Sequence, residues 1–124
     1  MSPAGGLARA VVVGASGYAG SELCRWLLEH PSIQLAGVCS RQHAGRPLAD
    51  IVPSLAGLTD LRFQPIAPPA FAGADLVFLA LPHGTAADVV AQVRAARPGR
   101  GIPRILDLSA DHRLDPEWVY GLVD

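Results

Sequence analysis

The chain has 124 residues, half of them hydrophobic and 17% charged, with a formal net charge of −1. That is the composition of one globular domain with a real core, too short for a cofactor domain and a substrate domain together. A phosphate-backbone binder would show a basic surplus, so no nucleic-acid partner is expected.

The opening "MSPAGGLARA" has no long apolar segment of the secretory kind, and the chain is expected to be cytoplasmic. "ARAVVVG" (residues 8–14) is continuously apolar and β-branched, as a central parallel strand covered on both faces would be. In "GSELCRWLLEH" (residues 20–30), Leu23, Trp26, Leu27 and Leu28 fall largely on one helical face, and Pro31 follows the helix end. "IQLAGVCS" (residues 33–40) reads as a second strand. Residues 41–60, with Pro47 and Pro53, read as an irregular loop holding a short helix. "LRFQPI" (residues 61–66) is a third strand ended by Pro68 and Pro69, and "DLVFLALP" (residues 75–82) a buried fourth. "GTAADVVAQVRAA" (residues 84–96) predicts a helix closed by Pro98 and Gly99, "RILDLS" (residues 104–109) a fifth strand, and residues 115–124 a loop or single helical turn. Every apolar run is broken before membrane-spanning length, so no membrane partner is expected.

Two strand–helix–strand units in succession predict a doubly wound parallel α/β domain over residues 1–124. Right-handed crossovers then gather ligands at the carboxyl ends of the strands. Cys24, inside the first helix, and Cys39, at the end of the second strand, form neither a disulfide framework nor a zinc site and read as small buried hydrophobes. All ten basic residues are arginine, which excludes a Walker A lysine, a Schiff-base lysine and a Tyr-x-x-x-Lys pair.

The stretch "VVVGASGYAGSEL" (residues 11–23) carries the first candidate site. Between a strand and an amphipathic helix, Gly14 suits a tight turn, Gly17 the close approach of a pyrophosphate, and Gly20 close helix–strand packing. The alternative is a purely structural turn. A dinucleotide domain that takes NAD typically ends its second strand in an acidic residue; here Ser40 and Arg41 stand there, a hydroxyl and a guanidinium suited to a 2′-phosphate. NADP(H) is therefore the expected cofactor, unless Arg41 merely opens a solvated loop. After the fourth strand, Pro82 and Gly84 shape a sharp corner, Thr85 is placed to cap the next helix, and His83 either lines the nicotinamide ribose or is a turn residue. After the fifth, "LDLSADHRL" gathers Asp107, Ser109, Asp111, His112 and Arg113. Arg113 is suited to clamp an anion and Ser109 to hydrogen-bond it; a polar loop capping a strand is the plain alternative.

"GASGYAGSEL", "ALPHGTA" and "LDLSADHRL", followed by "YGLVD", together resemble the N-terminal part of the N-acetyl-γ-glutamyl-phosphate reductases of arginine biosynthesis. The resemblance runs from Ala8 to Asp124, with His112 where an aromatic residue is common and Val123-Asp124 where the family tends to show Pro-Glu. It implies NADPH-dependent reduction of an acyl phosphate to a semialdehyde through a cysteine thioester, with a histidine as acid/base and a homo-oligomer when full length. It implies Gly14, Ser16, Gly17, Tyr18 and Gly20 at the dinucleotide turn, Ser40 and Arg41 at the 2′-phosphate, Pro82, His83 and Gly84 beside the cofactor, and Ser109 and Arg113 near the small-molecule substrate. The family's nucleophile lies in a Gly-Cys-Tyr segment after "YGL" and its histidine in a second domain. Neither falls within these residues, so no catalytic residue is assigned in this chain, which is expected to bind cofactor without turnover. A lysine-pathway or aspartate-semialdehyde-type reductase, a stand-alone NADP(H)-binding module and a split subunit are the competing readings. Left without the segments that cover its sheet, the domain is expected to expose apolar surface and associate.

Overall fold

A computed structural model of the chain describes residues 8–81, 86–96 and 103–108. Over these, five strands form one sheet: β1 (Ala8–Val13), β2 (Ile33–Cys39), β3 (Phe63–Gln64), β4 (Leu76–Leu79) and β5 (Arg104–Asp107). Their order is β3-β2-β1-β4-β5, and every ladder between them is parallel. Helix α1 (Tyr18–Leu28) joins β1 to β2, a one-turn helix α2 (Leu48–Ile51) lies between β2 and β3, and α3 (Ala86–Ala96) joins β4 to β5. The chain steps outward from β1 through β2 to β3, then returns to lay β4 on the other side of β1. This is the doubly wound arrangement, and the reversal between β1 and β4 is where such sheets open a ligand crevice.

The central strands are apolar on both faces because both faces are covered. Ala10, Val12, Leu76 and Phe78 pack with Leu23, Cys24 and Leu27 of α1, whereas Val11, Val13, Val77 and Leu79 pack with Val89 and Val93 of α3. The buried stripe of α1 is Gly20, Leu23, Cys24 and Leu27. Trp26 and Leu28, expected on that face, are only half-buried at its margins. The i, i+3, i+4, i+7 row selects Cys24 over Trp26, and a small thiol fits the close helix–sheet contact. Helix α1 begins at Tyr18, two residues before the expected start, so Gly20 lies within it.

At the amino edge of the sheet, Asp75 Oδ2 accepts the Arg9 amide at 2.8 Å and the Asp75 carbonyl accepts the Arg104 amide at 3.1 Å, fixing the starts of β1, β4 and β5 relative to one another. The β1–β2 ladder carries one irregularity. Ala10 pairs with Leu35 but Val11 pairs with Gly37, leaving Ala36 as an extra residue in β2. Strand β3 is shorter than the expected 61–66, because Arg62 forms an isolated antiparallel bridge to Pro47 instead.

Candidate dinucleotide-binding site

The carboxyl end of β1 runs into a turn that backbone sterics dictate. Gly14 has φ +89°, and a Cβ there would collide with the carbonyl oxygen of Ala80 at the end of β4. Its amide donates to the Cys39 carbonyl at 3.0 Å, and the Ala80 amide donates to the Val13 carbonyl at 2.9 Å. Three strand ends are thereby drawn together at one point. Gly20 is as constrained: a Cβ would overlap the Gly14 carbonyl oxygen and lie 2.9 Å from Ala15 Cα. No side chain larger than hydrogen lets α1 sit this close to the turn.

Gly17 is different. A Cβ there would meet only the Gly14 oxygen, at an ordinary 3.7 Å. Protein packing does not demand glycine at this position, and its open side lies at the N-terminus of α1. That terminus has no side-chain cap and no acidic residue in its first turn. The Ser21 amide donates to Gly17 O at 2.9 Å, so the preceding helical amides are left for an acceptor from outside. Ser16 is exposed, and Tyr18 is 81% exposed. Ser16, Gly17 and Tyr18 thus form the exposed surface of the turn.

The end of β2 is built from side chains. Ser40 is buried, and its Oγ accepts the amides of Gln42 and His43 at 3.2 Å each. It shapes the loop that presents Arg41. The Arg41 guanidinium donates through Nη2 to Asp88 Oδ2 of α3 at 3.0 Å, the two side chains 57% and 54% exposed. Asp88 stands in the first turn of α3, where a carboxylate also suits the helix dipole. Sequence reasoning missed this partner: 47 positions separate the two residues, and Asp88 alone reads as an ordinary helix-start acid.

Burial raises both thiols, Cys24 and Cys39, to about 12, so each is a neutral thiol at physiological pH and neither is suited to nucleophilic attack. Pro82, His83, Gly84, Ser109 and Arg113 lie outside the described residues. Among the described residues no group of three or more His, Cys, Asp or Glu is placed to hold a metal, and no helix is long and apolar enough to cross a membrane.

The model of the semialdehyde dehydrogenase NAD-binding domain matches residues 9–124. N-acetyl-γ-glutamyl-phosphate reductase of Xylella fastidiosa (strain M23) is 47% identical over 113 residues, which make up 90% of this chain and 33% of that protein. A protein described as a LysW-L-2-aminoadipate/LysW-L-glutamate phosphate reductase of Cenarchaeum symbiosum (strain A) is 50% identical over 85% of this chain and 29% of its own length. The chain thus spans about one third of the curated relatives it matches. Among solved structures, aspartate semialdehyde dehydrogenase with NADP from Candida albicans shares the fold, with a TM-score of 0.65, 22% identity and coverage of 82% of this chain and 29% of that one.

Proposed function

Since this chain belongs to the semialdehyde dehydrogenase family, as its NAD-binding domain, we propose that it is the NADP(H)-binding part of an N-acetyl-γ-glutamyl-phosphate reductase. The observation that carries the reading is the contrast within the glycine turn. Gly14 and Gly20 are required by backbone contacts, whereas Gly17 is open on the side where the α1 amides face outward. A glycine unneeded by the protein fits a phosphate that must come close to the backbone. The bound dinucleotide supplies hydride.

This chain's own residues do the rest of the binding. The Gly17–Tyr18 end of α1 receives the pyrophosphate. Arg41, in the position where NAD domains place an acid, receives the 2′-phosphate, and Ser40 holds the loop that carries it. Pro82, His83 and Gly84 line the nicotinamide side; Ser109 and Arg113, which follow β5, hold the anionic acyl phosphate. Cys24 and Cys39 are buried neutral thiols and do not serve as the nucleophile; by the family resemblance the thiolate and the acid/base histidine belong to the part of the relatives that this chain does not match. The full enzyme is a cytoplasmic homo-oligomer acting on a small molecule. A LysW-linked acyl phosphate is the second reading, favoured by the 50% identical relative.

Calorimetric titration of the chain with NADP⁺ and NAD⁺ tests the cofactor. NADP⁺ should bind at least about tenfold more tightly, the difference expected of a charge-assisted phosphate contact. Equal affinities would overturn the 2′-phosphate assignment, and absence of binding by either would overturn the domain's role as an independent cofactor binder.

A further inference from the structure

Resting on that reading, we propose that Asp88 is an internal counter-ion for Arg41, and that it sets how strongly the site prefers a 2′-phosphorylated dinucleotide. The pair joins the loop after β2 to the first turn of α3. It brackets the carboxyl edge of the sheet on the α3 face, beside the turn where β1, β2 and β4 end together. A 2′-phosphate arriving at Arg41 meets a guanidinium already donating to a carboxylate, with the negative charge of that carboxylate close by.

Two physical consequences follow. The phosphate must displace Asp88 from Nη2, so part of its attraction to Arg41 is spent in exchanging one anion for another. Asp88 meanwhile keeps a favourable place at the helix N-terminus after release, so the exchange is reversible and inexpensive. NAD⁺, which has a ribose hydroxyl there, leaves the ion pair intact. The carboxylate therefore lowers affinity for the phosphorylated cofactor while leaving the unphosphorylated one nearly untouched. Selectivity in the wild type is below what Arg41 alone would give.

The test is titration of NADP⁺ and NAD⁺ into the wild-type chain, Asp88→Asn, Arg41→Ala and the double variant, at two salt concentrations. Asp88→Asn should bind NADP⁺ about two- to fivefold more tightly, the scale of an exposed ion pair, with NAD⁺ unchanged. Its NADP⁺ affinity should also fall more steeply with salt, because removing the opposing carboxylate leaves a larger net attraction between Arg41 and the phosphate for salt to screen. In the Arg41→Ala background the gain from Asp88→Asn should shrink to the small part owed to direct repulsion between the carboxylate and the phosphate. An unchanged or weaker NADP⁺ affinity in Asp88→Asn, or the same gain without Arg41, would overturn the counter-ion role while the cofactor reading stands. If the wild type shows no NADP⁺ preference and Arg41→Ala alters neither ligand, the cofactor reading itself fails, and the counter-ion role with it.

Discussion

The turn after β1 and the loop after β2 end side by side, yet they are held by different forces. The first is held by backbone atoms. Gly14 and Gly20 are pressed against the carbonyl oxygens of Ala80 and Gly14 with no room for a methyl group. The second is held by side chains: the Ser40 hydroxyl accepting two amides, Arg41 reaching Asp88, and Arg62 donating to the Gly45 carbonyl at 3.1 Å. A region shaped by excluded volume tolerates no added atom at its packed positions, Gly14 and Gly20. A region shaped by exposed polar contacts can exchange partners, and that is where a choice between two similar ligands can be made.

The comparison breaks most sharply at the glycines. Gly14→Ala should cost about 3 kcal/mol or more in urea unfolding, combining positive-φ strain with overlap on Ala80, and Gly20→Ala about as much. Gly17→Ala should cost about 1 kcal/mol or less, the loss of a tolerable N-cap residue, yet weaken dinucleotide binding. A Gly17 variant as unstable as the Gly14 variant would remove the distinction between packing and ligand glycines.

Next in size, Arg41→Ala should lower NADP⁺ affinity about tenfold with NAD⁺ held constant and the unfolding midpoint nearly unmoved, since the pair it loses is exposed. Ser40→Ala comes third. Two half-buried loop amides lose their acceptor, which should destabilise the chain by about 1 kcal/mol or less and loosen the Arg41 loop, read as a selective loss of NADP⁺ over NAD⁺.

The smallest effect near neutrality lies with the thiols. Both are raised by burial from 9.0 to about 12, so the unfolded chain ionises first as pH rises. Their contribution is full below pH 9 and is lost progressively towards pH 12. Iodoacetamide should leave both cysteines of the native chain unlabelled at pH 8; rapid labelling of Cys39 would place it in an open, reactive setting.

Strands β1 and β4 were legible in the sequence because burial on both faces writes an unbroken apolar run. The glycine turn was legible because its spacing is local, within seven residues, although the atom that forbids a side chain at Gly14 is the distant Ala80 carbonyl. The inward face of α1 was legible in Leu23, Cys24 and Leu27, whereas Trp26 and Leu28 pack against the same core only partly buried, at its margin, because the sheet leaves room there for no more. Strand β3 was overlong because nothing in "LRFQPI" announces that Arg62 pairs with Pro47. The partner of Arg41 could not be read at all, since only the doubly wound topology brings the start of α3 to the end of β2.

The extra residue at Ala36 acts on all of this from a distance. Before it, Ile33 and Leu35 face the α1 side of the sheet; after it, Cys39 faces the α3 side and Val38 has taken over the first. One inserted residue has reversed the phase of the strand, so odd-numbered positions leave β2 turned toward α3, where Arg41 finds Asp88. In evolutionary terms, the pairing of Arg41 with Asp88 is exposed to length changes as well as to substitutions. Deleting Ala36 alone would remove the phase reversal and set the two halves of β2 in conflict over which face each presents, while leaving every residue of the glycine turn in place.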